Sequence, residues 1–177
     1  NCCCVWCCFT KVMAKEIQLT RNLVAIVDDE DFERVNARSW YAKMIVSSKT
    51  VFYATSAEKL PSGKHTCILM HRFIMQPPEG KEVDHIDRNP LNNQKSNLRL
   101  ATRAENSRNR KIYTNNTCGY KGVQFSKQRN RFFATLRLNG VRYRSTSRLT
   151  AIEAAADYNE LAIKYHGEFA CLNKIED

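Results

Sequence analysis

Four residues in one short stretch have the types and spacing to do chemistry together. Asp84 and His85 are adjacent, Asn97 follows twelve residues after His85, and Asn106 nine residues after that, in GKEVDHIDRNPLNNQKSNLRLATRAENSRNRK. A carboxylate and an amide oxygen are the donors a hard divalent cation prefers. The imidazole beside them can take a proton from water near neutral pH. A base next to one bound cation is what one-metal hydrolysis of a phosphodiester needs: the base activates water, and the cation stabilises the charge that builds on phosphate. Singly, each residue is ordinary. An Asp-His pair is usually a surface hydrogen-bonded pair, and Asn-rich loops are usually turns. The set of four, at these spacings, carries the argument.

Local signals show which elements would hold the four. Val83 leads into the Asp-His pair, and apolar β-branched residues favour a strand. Asn89-Pro90 and the polar run 92–97 read as a loop. Leu98-Arg99-Leu100 alternates as a short strand does. Thr102-Arg103-Ala104-Glu105 is a capping box, with Thr102 as N-cap. The order is strand, long loop, strand, helix, with Asn106 in the first turns of the helix.

In these residues, and in the Asn-Leu-Arg step and the Arg-Ala-Glu-Asn-Ser helix start, the chain resembles the HNH endonucleases, in the variant whose third letter is Asn. The resemblance implies a ββα-metal finger. In it His85 ends the first strand as general base, Asp84 and Asn106 bind one divalent cation (magnesium, with manganese as an alternative), and Asn97 holds the loop and orients His85.

Composition points to an acidic polymer as partner. The net charge is +10 and the pI about 9.3, a balance suited to nucleic acid. The charge is concentrated. Between Glu105 and Glu153 there is no acidic residue, while Arg108, Arg110, Lys111, Lys121, Lys127, Arg129, Arg131, Arg137, Arg142, Arg144 and Arg148 all lie there. Solvated faces normally mix signs, so a one-signed stretch favours phosphate contact.

That stretch has its own architecture. Residues 120–125 read as a strand. Residues 131–138 and 141–146 flank Asn139-Gly140, the strongest short hairpin signal. A two-residue loop sets Leu138 opposite Val141, Arg137 opposite Arg142, Leu136 opposite Tyr143 and Thr135 opposite Arg144. Alternation then gives one face of Phe132, Ala134, Leu136, Leu138, Val141 and Tyr143, and another of Arg131, Phe133, Thr135, Arg137, Arg142 and Arg144. A second capping box, Thr150 to Glu153, opens a helix that Gly167 closes. Its expected apolar face is Ile152, Ala155, Ala156, Asn159, Ala162, Ile163 and Tyr165.

Tyr120-Lys-Gly-Val, Phe132-Phe-Ala-Thr-Leu-Arg137, Ala154-Ala-Ala-Asp-Tyr158 and His166-Gly-Glu-Phe-Ala170, followed by Leu172-Asn173, resemble the plant ethylene-response-factor (Apetala-type) DNA-binding domain over residues 118–173. The resemblance implies a three-stranded antiparallel sheet that enters the major groove, backed by one helix. Residue by residue, Lys121, Gln124, Arg137, Arg142 and Arg144 take positions that contact DNA in that family. Thr135 replaces an acidic residue there and Arg144 a Trp, so base preference does not transfer.

The leading segment is less specific. Residues 17–20 and 23–27 read as strands, 28–35 as a short helix with a solvated acidic start, and 40–46 with 50–54 as a hairpin. Residues 66–75 lead into the finger through Leu69-Met-His-Arg-Phe73, where His71 reads as structural. Five of the eight cysteines lie within the first eight residues. Cys4 and Cys7 have zinc-pair spacing but no second pair, so no structural zinc is expected. Residues 1–12 are expected to be a disordered, non-native extension. They are too short to span a membrane and lack a signal-peptide pattern, which with isolated cysteines implies an intracellular protein.

The sequence thus predicts an α+β protein: a nuclease domain with a β-rich lead over 13–110, a linker at 111–117 and a DNA-binding domain at 118–173. Its expected partner is double-stranded DNA, with no membrane and no obligate protein partner. A single visible catalytic set favours nicking by a monomer. The alternative is a DNA-binding regulator with an inert finger.

Overall fold

The computed structural model describes residues 13–44, 51–110, 112 and 116–175. The expected extension at 1–12, the tip of the 40–54 hairpin and most of the expected linker lie outside the described residues. The chain packs as two units, 1–100 and 101–177.

In the first unit, β1 (Ala14–Gln18) and β2 (Val24–Asp28) pair antiparallel. Helix α1 (Asp29–Asn36) follows directly, with Asp29, Glu30 and Asp31 in its first turn, where backbone N–H groups favour acids. A second antiparallel sheet joins β3 (Tyr41–Met44), β4 (Phe52–Lys59) and β5 (His65–Leu69), in that order. Helix α2 (Met70–Met75) leaves β5 without a gap and stops at Gln76, whose φ of 44° is left-handed. Strands β6 (Glu82–His85) and β7 (Leu98–Ala101) form a two-stranded sheet.

One core ties these pieces together: Ile17, Ala25, Val27, Val35, Trp40, Ala54, Met70, Ile74, Val83 and Leu98. Arg34 links the two helices. Its Nε donates to Asp31 (2.8 Å) and its Nη2 to the Ile74 carbonyl (3.0 Å), satisfying an orphan group at the end of α2.

The acidic start of α1 differs from its expected solvated state. Asp28 and Asp31 are buried. Asp28 accepts from the Lys95 amide (2.7 Å) and from Gln94 Nε2 (3.1 Å). β2 also bonds the same loop through Ile26 N to Leu91 O and Asn93 N to Ile26 O. Asp28, Glu30 and Asp31 bring carboxylate oxygens within 4.8 Å of one another. Lys95 reaches both Glu30 (2.6 Å) and Asp31 (3.2 Å), so the cluster is an ion-paired anchor for the loop that carries Asn97.

The second unit begins with α3 (Arg103–Arg108), whose capping box forms in both directions between Thr102 and Glu105. Strands β8 (Val123–Ser126), β9 (Arg131–Leu138) and β10 (Val141–Arg144) make an antiparallel sheet with β9 central. The hairpin register matches the one derived from the Asn-Gly turn at all four pairs. Asn139 and Gly140 both have positive φ, 50° and 82°, as a type I′ turn requires.

Helix α4 (Ala151–His166), with its own capping box, covers the sheet face carrying Ala134, Leu136, Leu138 and Tyr143. The helix face that does so is rotated from the expected one. Ala154, Ala155, Tyr158, Leu161, Ala162 and Tyr165 pack inward, while Ile152 and Ile163 are exposed. The rotation places Asp157 inward, where Arg148 donates to both of its oxygens (2.8 and 2.7 Å). Close approach of α4 requires Gly122: a Cβ there would lie 2.1 Å from the Tyr158 ring and 2.9 Å from the Thr135 carbonyl, at a φ of +73°. Asn173 exchanges hydrogen bonds with Asn159 and with the Lys121 backbone, tying the C-terminal segment to helix and sheet.

Candidate functional site

Asp84 and His85 end β6, and both are buried despite their polarity. Burying a carboxylate is costly unless it is paired. Arg99, on β7, donates to Asp84 Oδ2 from Nε (2.9 Å) and from Nη2 (2.7 Å). The carboxylate is thereby held in one orientation by a guanidinium that is itself only 12% exposed.

The loop between the two strands is closed by Asn97. Its Oδ1 accepts from the Asp87 amide (2.9 Å), and its Nδ2 donates to Asp87 Oδ1 (2.9 Å) and to the Asn92 carbonyl (2.8 Å). Its backbone carbonyl accepts from Ile86, the residue after His85. Asp87 also takes the Asn89 amide and Asn92 Nδ2. Burial pushes the Asp87 carboxyl up, but these donors outweigh it and hold it below its ordinary range.

His85 is surrounded by rings. His71, on α2, lies 4.9 Å away centroid to centroid at 81°, and Tyr53, on β4, lies 6.1 Å away at 75°. Burial depresses the His85 imidazole pKa, partly offset by a hydrogen bond with Asn93 and the nearby Asp87 and Asp84 charges. The ring is therefore neutral at pH 7, the state a base needs. His71 is driven down to about 3 by burial, then by His85 and Arg72. Burial and the Asp84 charge raise the Tyr53 hydroxyl.

The first unit thus brings together Asp84, His85 and Asn97. Asn106 belongs to the second unit, half-buried on α3, with its amide bonded to the Thr102 carbonyl. Of the sheet residues, Gln124, Arg137, Arg142 and Arg144 are exposed. Arg137 faces Arg142 across the hairpin, and the Arg144 guanidinium lies 3.6 Å over the Phe133 ring. Like charges directly opposite on a sheet repel. Lys121 is placed differently. Its Nζ donates to the Arg108 and Arg110 carbonyls (2.6 Å each), capping the C-terminal end of α3.

Arg99, Tyr53, Asp87 and Asn93 line the site without having stood out in the sequence, and His71, which reads as structural there, packs against His85. No helix among the described residues is long and apolar enough to cross a membrane.

A family model for HNH endonucleases matches residues 76–108, the segment that holds β6, the loop, β7 and α3. The chain is 41% identical over 93 residues to Protein 3.8 of Escherichia phage T7, covering 52% of this chain and 76% of that protein. It is 40% identical over 113 residues to an uncharacterized HNH endonuclease of Acanthamoeba polyphaga mimivirus, covering 60% of this chain and 58% of that protein. No solved structure matches significantly. Residues 76–108 thus form an HNH endonuclease domain, the kind of domain found in DNA-cleaving hydrolases.

Proposed function

We propose that the chain is a homing-type DNA endonuclease that nicks one strand through a ββα-metal finger. His85 is the general base, Asp84 and Asn106 hold one divalent cation, and Asn97 orients the base. The observation that carries the reading is the Asp84-His85 pair: buried at a strand end inside the matched HNH segment, with a neutral imidazole beside a fixed carboxylate.

The donor set fits a hard cation. Asp84 and Asn106 offer only oxygens, and magnesium is the natural choice among such ions, with manganese as a substitute. When bound, the cation supplies charge stabilisation to the phosphorane and to the leaving 3′ oxygen. The chain's own residues do the rest. His85 takes the proton of the attacking water. Arg99 keeps the Asp84 carboxylate from turning. Asn97 fixes the backbone on the far side of His85 through the Ile86 amide.

DNA grip is assigned to the second unit, in an ethylene-response-factor-type domain over 118–173, with the nuclease domain over 13–110. Exposed Gln124, Arg137, Arg142 and Arg144 support the assignment. Lys121 contributes from the sheet's edge, where it also holds the end of α3.

The test is supercoiled plasmid incubated with the full chain, with magnesium and with excess chelator, followed by mapping of the ends. Nicked circles in magnesium and none in chelator are expected. Linear product in step with nicked product would replace nicking by double-strand cutting. Tight DNA binding without cleavage in magnesium or manganese would favour a regulator with an inert finger.

A further inference from the structure

Two buried histidines share one side of the candidate site, and the proposed reaction uses only His85. His71 (5% exposed) sits edge-to-face with His85 (6% exposed) at 4.9 Å and 81°. Tyr53 meets both rings, His71 at 5.6 Å and 62°, His85 at 6.1 Å and 75°. The three rings come from β4, α2 and β6, three separately anchored elements. Edge-to-face contact is favourable because the positive edge of one ring meets the negative face of the next. A ring held this way from two sides cannot turn without losing both contacts.

Stability alone does not account for a histidine at 71. Its Nδ1 is buried with no hydrogen-bond partner among the described residues, and an apolar side chain there would avoid that penalty. Burial keeps His71 uncharged across the working pH range, so it adds no positive charge beside the base.

We propose that His71 is a positioning residue: its ring, with Tyr53, fixes the plane of the His85 imidazole so that one ring nitrogen stays aimed at the attacking water. The catalytic consequence rests on His85 being the general base; the positioning itself does not. Misaimed reacting groups lose rate at the chemical step rather than in binding.

The experiment uses the full chain and two variants. His71→Leu keeps volume without a ring, and His71→Phe restores a ring without nitrogens. Thermal unfolding, nicking kinetics and NMR of the His85 ring protons and nitrogens are recorded for each. His71→Leu should melt no lower than the parent, yet lose ~10- to 100-fold in kcat with KM changed less than about twofold. Its His85 ring signals should shift and broaden. His71→Phe should restore both rate and ring signals. Tyr53→Leu, which removes the other neighbour, should reproduce the His71→Leu signature in a second background. Unchanged His85 ring signals in His71→Leu overturn the positioning role, whatever happens to rate. A His71→Phe variant that keeps the parent ring signals but stays as inactive as His71→Leu also overturns it, because a nitrogen would then act directly. His85→Ala, assayed in parallel, reports separately on the general-base reading.

Discussion

Removing Arg99 should unlock both the stability and the chemistry of Asp84. The pair is nearly dry: two donors reach one carboxylate oxygen at 2.9 and 2.7 Å, with side-chain exposures of 12% and 6%. Deleting one partner of a buried ion pair costs about 3–5 kcal/mol, because the other charge is left uncompensated. Arg99 keeps a little solvent contact, so Arg99→Ala should fall near the low end, ~3 kcal/mol. With a urea slope of about 1–3 kcal/mol/M, the midpoint should drop by roughly 1–3 M. Trp40 sits in the same core as Val83, and its fluorescence in a Trp6→Phe background reads this unit. A double-mutant cycle supplies the control. Once Arg99 is gone, Asp84→Asn should cost far less than it does alone, with a coupling of ~2 kcal/mol or more. Magnesium should restore part of the loss in Arg99→Ala, approaching about 2.7 kcal/mol at a hundredfold excess over Kd. A loss under ~1 kcal/mol, the range of an exposed pair, or additive single mutants, would show that Arg99 and Asp84 are not a buried, coupled pair.

Three further outcomes follow from the second unit. Gly122→Ala should destabilise it by ~3 kcal/mol or more, since the new methyl meets the Tyr158 ring and a backbone carbonyl at positive φ; an unchanged melting temperature would contradict the packing. Arg148 holds the Asp157 carboxyl below its ordinary range, so the pair's contribution is complete above the unfolded carboxylate value near 4 and is lost as pH falls through the lower folded value. Unfolding from pH 6 to 2 should therefore show an acid-side loss that Asp157→Asn flattens. Arg137→Ala and Arg142→Ala should each weaken DNA binding and lower the salt slope by about one if they touch phosphate. If one reads guanine, it should instead cost ~1–3 kcal/mol at a single base position. Unaltered binding of both variants at low salt would remove this sheet face from the DNA interface.

Local rules reached far into this fold. The Asn-Gly turn set the β9–β10 register because two positive-φ residues leave no other pairing, and two capping boxes marked α3 and α4 because each side chain bonds its neighbour three residues away. What stayed hidden depends on distant partners. Asp28 reads as a helix start, yet it is buried because Gln94 and Lys95 come to it across the sheet. His71 and His85 sit on different elements, α2 and β6, and their contact is not written in local sequence. The inward face of α4 was misjudged because Ile152 and Ile163 outweigh alanines in any hydrophobic pattern. Small residues are what let the helix reach Gly122, and Asp157 is tolerated inside because Arg148 donates to both of its oxygens. Lys121 matched a DNA-contacting position by type, but two carbonyls at the end of α3 are within its reach.

If His85 is the base that activates water, its loss should show in single-turnover nicking of supercoiled DNA by His85→Ala in saturating magnesium, with DNA affinity and unfolding measured on the same preparation. Affinity and fold should stay parental while cleavage slows by ~100-fold or more, the scale of a lost general base. Cleavage within a fewfold of the parent would contradict it and take His85 out of the chemistry.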